Sequence, residues 1–262
     1  MTDNGKETTV ELTKEQERAL DILDKKPISA WPWPRIVVGV LQERAMSHAD
    51  DVFYNFWAIA QQGTPIFPMP YTRTDIIRNQ MAIRLLQSDY THVLMLDIDH
   101  KHPPDIVQRL ARWVLVEPEI QVVGGSNHRR SAPFDPCWGF NGPDEARYYP
   151  PVEWGQGILR VDILGTGSIL IAREVFELIP PPWFAVDYSY VWKDTWPGED
   201  IGFSKLCEQY GVKMYVDPTL TSPHMADAMI TEDTYKDYLA ANGEVEKVTY
   251  DKFVERNKEE MK

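Results

Sequence analysis

The chain of 262 residues carries a net charge of -13, with 43% hydrophobic and 11% aromatic residues, a globular composition large enough for one α/β domain with appendages. That charge argues against a broad nucleic-acid surface but leaves room for a local basic pocket around a small anion. No apolar stretch reaches the length of a membrane span, and the charged N-terminus does not read as a signal peptide. Two separated cysteines, Cys137 and Cys207, fit a reducing, cytoplasmic compartment.

In chain order, residues 11–26 predict an amphipathic helix with Leu12, Leu20 and Leu23 on its apolar side, broken by the proline-rich segment 27–34. Residues 35–41 read as a buried strand, 48–62 as a helix, 65–70 as a short extended segment and 74–88 as a helix with Thr72 or Thr74 near its N-cap. A strand over 92–96 stops at Asp97-Ile98-Asp99-His100, and Pro103 and Pro104 open a helix over 105–116. A strand over 120–123 ends in Gly124-Gly125. This alternation predicts an α/β fold, a mostly parallel sheet flanked by helices. Residues 126–158 lack periodicity and read as a long loop or a small inserted ribbon. Beyond them come a strand over 168–172, a helix over 173–178, an aromatic irregular stretch 183–196, and a helix over 201–210 closed by Gly211. A strand over 212–216 leads to the loop carrying His224, and the charged remainder reads as helical.

The acid pair after the third apolar strand is the most informative feature. Residues two apart on a strand share a side, so Asp97 and Asp99 are expected to aim both carboxylates at one spot past the strand end. Ligands of open α/β sheets bind there, and hard divalent cations take such oxygens. His224 follows another strand of the same sheet and is a third candidate arm, a set that suits manganese well and magnesium less. The ordinary readings are a helix cap for Asp99 and a polar loop residue for His224. Gly198-Glu199-Asp200 opens a helix, where acids are favoured by the dipole, and a carboxylate there could also act as a general base. Arg78 lies on a helix expected beside the acid-bearing strand, in reach of a phosphate or sugar. Arg129 and Arg130 form another candidate clamp, and both sites have a solvated face as their plain alternative. Gly165-Thr166-Gly167 lacks the third glycine of a dinucleotide loop, so it reads as a close backbone approach beneath a ligand or as a plain turn.

Taken in order, RTDIIRNQMAI (73–83), HVLMLDIDH (92–100), LGTGSILIAREVFE (164–177), GEDIGFSKLCEQYGVKMYVD (198–217) and His224 resemble nucleotide-sugar-dependent glycosyltransferases of the GT-A fold, most like the family 2 group. The resemblance implies a Rossmann-like catalytic domain over 35–225, after a helical extension at 1–34 and before a helical tail at 226–262. It implies Mn2+ or Mg2+ held by Asp97, Asp99 and His224, with Asp99 the direct ligand and Asp97 also contacting sugar or ribose. Arg78, Gly165, Thr166 and Gly167 would lie on the donor side, Asp200 would deprotonate the acceptor hydroxyl in an inverting transfer, and Glu199 would orient substrate. The implied partners are a UDP- or GDP-linked sugar and an acceptor hydroxyl. Aromatic residues including Trp138, Trp154, Trp183, Trp192 and Trp196 are available to an acceptor pocket, with core packing as their ordinary role. The chain departs from the family after its first strand, where Leu41-Gln42-Glu43-Arg44 replaces a Pro-Thr turn. Three rivals keep the acids in use: a retaining transferase, a metal-dependent phosphoesterase that adds His100 and His102, and a non-catalytic nucleotide-sugar-binding module.

Overall fold

The computed structural model describes residues 12–41, 49–69, 72–142, 148–186, 198–226 and 229–242. Its first half alternates as the patterns predict: α1 (Lys14–Lys25), β1 (Ile36–Leu41), α2 (Ala49–Ala60), β2 (Ile66–Pro68), α3 (Thr74–Leu86), β3 (His92–Asp97), α4 (Ile106–Val116) and β4 (Val122–Ser126). The second half holds the short strands β5 (Trp138–Gly139), β6 (Leu159–Val161) and β7 (Ile163–Leu164), then β8 (Ser168–Ala172), α5 (Arg173–Leu178), α6 (Glu199–Gln209) and β9 (Met214–Thr221). A small hairpin of β10 (His224–Met225) and β11 (Met229–Ile230) precedes α7 (Glu232–Asn242). The expectations for residues 1–11, for 42–44 after β1, for Trp192 and Trp196, and for the tail past 242 concern segments outside the described residues. No helix among the described residues is long and apolar enough to cross a membrane.

Seven strands form the main sheet in the order β2-β1-β3-β8-β4-β9-β6. β2, β1, β3, β4 and β9 run one way; β8 and β6 run against them. The apolar run of β3 is continuous because both faces of the sheet are covered. Val93 and Met95 pack in one cluster with Ile77, Met81 and Leu85 of α3 and Phe203 of α6. Leu94 and Leu96 pack in a second cluster with Ile106, Leu110 and Val114 of α4 and Leu23 of α1. α1 begins with a capping box between Thr13 and Gln16, and the Gln16 side chain donates to the Val116 carbonyl at 2.8 Å, tying this N-terminal helix to α4.

β8 enters between β3 and β4 antiparallel to both, pairing Leu96 with Ser168. Its N-terminal end therefore meets the C-terminal ends of β3 and β4, which puts Gly165-Thr166-Gly167 beside Asp97. β9 runs past its expected end at Val216, because a register shift lets Gly125 pair with Asp217 and Ser126 with Thr221. The residues absorbed there include Pro218, which cannot donate to a regular ladder. The extension carries the chain to His224 at the same edge of the sheet, where His224 forms a bridge with His100. The unpatterned stretch 126–158 is in part a ribbon, since β5 pairs with β7 and Phe140 bridges Tyr149.

Candidate active site

β3 ends at Asp97, and Asp99 lies in the turn that follows. The strand alternation therefore does not reach Asp99, and the two carboxylates take different partners among the described residues. Asp97 accepts from the Arg78 Nη2 at 2.9 Å and 3.1 Å on its two oxygens. Asp99 instead meets His100, His224 and Arg130.

Arg78 is 1% exposed, on the inner face of α3 with Ile77, Met81, Ala82 and Leu85. A guanidinium there requires a partner for each buried nitrogen. Besides Asp97, Nη1 donates to the Thr166 carbonyl at 3.0 Å and Nε donates to Glu199 Oε1 at 3.2 Å. One side chain thus ties the end of β3, the turn before β8 and the first turn of α6. Burial would lower the Arg78 pKa, but the charges of Asp97 and Glu199 hold it above its ordinary value. Burial raises the Asp97 pKa, with Arg78 opposing.

The second cluster is built from Asp99, His100 and His224, whose ligating atoms lie within 4.8 Å of one another. His100 Nδ1 is 3.2 Å from Asp99 Oδ1, and His224 Nε2 is 3.3 Å from Asp99 Oδ2. The two imidazoles stack at 4.0 Å between centroids. Because His224 Nδ1 is 2.8 Å from the His128 carbonyl, that nitrogen carries the proton, and a neutral ring turns the bare Nε2 toward a carboxylate. His100 is buried, with neither ring nitrogen in a hydrogen bond. Burial lowers its pKa despite Asp99. Asp99 is held below the ordinary carboxylate range: burial works against this, and contacts with His100 and His224 overcome it.

These atoms fit a divalent cation. Neighbouring ligands about 2.1 Å from a metal stand about 3 Å apart, and the two measured pairs match. With the His224 proton on Nδ1, its Nε2 and the Asp99 carboxylate are both electron-pair donors, and His100 Nδ1 stands beside the other carboxylate oxygen, so a cation placed among them would find three ligand atoms. Among the described residues, Asp97 lies outside this set, and His100, read from sequence only as part of a hydrolase cluster, lies within it. His102 is excluded chemically. Its Nε2 donates to the Asp97 carbonyl at 2.9 Å and its Nδ1 accepts from Ser222 Oγ at 3.0 Å, and burial pushes its pKa down to about 3.

The glycines are required by close approach. A Cβ on Gly165 would stand 2.7 Å from the Cys137 carbonyl, and one on Gly167 would stand 2.6 Å from Asn127 Nδ2 and 3.0 Å from His100 Cε1. The Gly167 carbonyl accepts from the Asp97 amide at 3.0 Å. α6 starts at Glu199, so Glu199 and Asp200 occupy its first turn, and Asp200 Oδ1 accepts from the Ile201 amide at 2.8 Å. Burial, then the charge of Glu199, raises the Asp200 pKa to about 6. Trp138 and Trp183 are core residues, with indole nitrogens donating to Ser126 Oγ at 2.9 Å and the Ile179 carbonyl at 2.6 Å. Trp154 is half-buried, edge-on to Trp138. Arg129 is 52% exposed and 4.0 Å from Asp135, while Arg130 reaches Asp99 at 3.0 Å.

No family model matches the chain, and no curated protein matches it. Among solved structures it is similar to A197 from STIV, with a TM-score of 0.55 and 16% identity over 76% of this chain and 91% of that one. The likeness is one of fold. Weaker similarities are to GalNAc-T7 with UDP, GalNAc and Mn2+ (TM-score 0.42, 13% identity, 78% of this chain and 41% of that one) and to a CMP:2-keto-3-deoxy-manno-octonic acid synthetase with CTP (TM-score 0.44, 8% identity, 79% and 98%).

Proposed function

We propose that the protein is a metal-dependent glycosyltransferase that moves a sugar from a nucleotide diphosphate to an acceptor hydroxyl with inversion. The observation that carries this reading is the gathering, at the ligand-binding edge of an α/β sheet, of a cation-ready set (Asp99, His100, His224) and a carboxylate of raised pKa (Asp200), with Arg78 joining Asp97 to Glu199 between them. Asp99, His100 and His224 would hold the divalent cation, which would supply charge neutralisation for the leaving nucleotide diphosphate. Asp200, ionised above about pH 6, takes the acceptor proton. Asp97 meets the donor's ribose or sugar, with its carboxylate oriented by Arg78. Glu199, fixed by the same guanidinium, orients substrate. Gly165, Thr166 and Gly167 bring bare backbone to the donor side. Arg78 has donors on three nitrogens committed to protein acceptors, so its part in donor binding is to place Asp97 and the Thr166 segment.

The test is nucleotide diphosphate release from a panel of UDP- and GDP-linked sugars with acceptors, with and without Mn2+, beside Asp99→Ala. Metal-dependent release from one donor, lost in the variant, is the expected result. No release from any donor by folded protein overturns the proposal. The place of His100 beside Asp99 and His224 gives a second reading some weight: a metal-dependent phosphoesterase, in which the same three ligands hold a tightly bound zinc. Stoichiometric zinc in the purified protein, with phosphoester hydrolysis, would favour it.

A further inference from the structure

Two arginines touch the two acids of the strand end, and they differ in what they are free to do. Arg78 is buried and held at Nε, Nη1 and Nη2. Arg130 has a side chain 33% exposed, lies just beyond β4, and meets Asp99 Oδ2 through Nη1 at 3.0 Å. That oxygen is the one His224 Nε2 faces at 3.3 Å. A cation shared by Asp99 Oδ2 and His224 Nε2 would sit about 2.1 Å from each, inside the field of the guanidinium. Two positive groups then contend for one carboxylate oxygen, and the one on a long, partly solvated side chain is the one that moves.

Resting on the metal reading above, we infer that Arg130 is a built-in competitor for the cation at Asp99, and that metal entry shifts its guanidinium from Asp99 to an oxyanion of the arriving diphosphate. The consequence is coupling. Metal alone binds weakly because it must displace Arg130. Metal arriving with a diphosphate binds well because the displaced guanidinium gains a new acceptor. Arg130 is thereby a specificity-determining residue, favouring metal loaded together with ligand over metal alone.

The experiment is Mn2+ titration of the full chain, followed by the electron paramagnetic resonance signal of free Mn2+, for wild type, Arg130→Gln, Arg129→Gln and Asp99→Ala. Arg130→Gln should bind Mn2+ alone about fivefold tighter, the order expected for removing a partly exposed ion pair. Arg129→Gln should match wild type and Asp99→Ala should not bind. Binding of manganese pyrophosphate, measured by calorimetry, should weaken in Arg130→Gln by about 2- to 30-fold, the roughly 10- to 150-fold loss of a charge-assisted hydrogen bond offset by the fivefold gain from the missing competitor. The opposite signs matter, because structural damage weakens both. Equal or weaker Mn2+ binding by Arg130→Gln, with Asp99→Ala inactive in binding, overturns the competitor role while the metal site stands. Unchanged manganese pyrophosphate binding overturns the transfer to phosphate. Mn2+ binding undiminished in Asp99→Ala, or absent from wild type, overturns the metal reading and this inference together.

Discussion

Asp200→Asn separates what this carboxylate does for the fold from what it is proposed to do in the reaction. Burial and the neighbouring Glu199 raise its pKa from 3.8 to about 6. At 1.36 kcal/mol for each tenfold change in proton affinity, the ionised side chain costs the folded state about 3 kcal/mol. A raised carboxylate pKa contributes stability below the unfolded value that is lost as pH rises through the folded value. The wild type is therefore penalised at pH 8 and not below about pH 4. Asn keeps the acceptor oxygen for the Ile201 amide, which Asp200 Oδ1 engages at 2.8 Å, and carries no charge. Urea unfolding at pH 8 should find Asp200→Asn more stable by up to about 3 kcal/mol, with the gap closing toward about pH 4. Transfer, if Asp200 is the base, should fall about 100- to 10,000-fold in the same variant. Equal stability of the two proteins at pH 8, or a gap that stays constant with pH, would refute the electrostatic argument. Undiminished transfer would refute the catalytic one without touching the first.

Arg78→Met leaves Asp97 and Glu199 without their shared guanidinium, and breaking such a buried pair costs about 3–5 kcal/mol; chemical denaturation will read it, and Asp97→Asn combined with Glu199→Gln should recover part of the loss. Burial lowers the pKa of His92 to about 4 and of His102 to about 3. Both are neutral in the fold while the unfolded chain takes up protons below about pH 6.5, so this pair should lower stability by about 2.7 kcal/mol per pH unit between roughly pH 6 and 4, against the opposite slope of about 1.4 kcal/mol per unit from Asp200. His92→Gln should remove half of the pair's slope in pH-dependent unfolding, and an unchanged slope would sink the assignment. Gly167→Ala places a Cβ 2.6 Å from Asn127 Nδ2 and 3.0 Å from His100 Cε1, so it should cost about 1–3 kcal/mol in a thermal melt and weaken Mn2+ binding by displacing His100.

Much of the scaffold was legible from sequence. The run 92–96 between polar ends marked β3, and the proline and glycine punctuation placed α4, α5 and the end of α6. The direction of β8 was not legible, because strand–helix alternation predicts parallel neighbours and nothing in Ser168–Ala172 itself records that the chain returns from the ribbon of β5 and β7 without a crossover helix. The end of β9 was missed because Asp217-Pro218 is a turn signal, and only a register shift against Gly125 and Ser126 lets pairing resume at Thr221. Within the site, His224 was expected at the strand edge with Asp99, and the structure brings them to 3.3 Å. The divergence of Asp97 from Asp99 turns on where β3 stops, a difference of two residues beyond the resolution of any hydrophobic pattern. Arg78 did carry an unread signal. It stands three, four and seven residues before Met81, Ala82 and Leu85, so it lies on the apolar stripe of α3, where a charge must have partners.

Those partners bear on the charge balance around the proposed cation. A buried ion pair is weak grounds for stability, since desolvation offsets most of its attraction. The use of Arg78 is geometric: it holds the end of β3, the Thr166 turn and the start of α6 in one register. That arrangement brings together four carboxylates, Asp97, Asp99, Glu199 and Asp200, with two guanidiniums, Arg78 and Arg130, as counter-charges. With all four acids ionised, two negative charges remain uncompensated, which one divalent cation balances. A diphosphate brought in alone would add to the excess, and a metal brought in alone would meet Arg130 already on Asp99. Net charge alone would therefore favour the metal without the diphosphate, and the proposed coupling rests on Arg130: a diphosphate arriving with the metal would supply the acceptor that the displaced guanidinium needs.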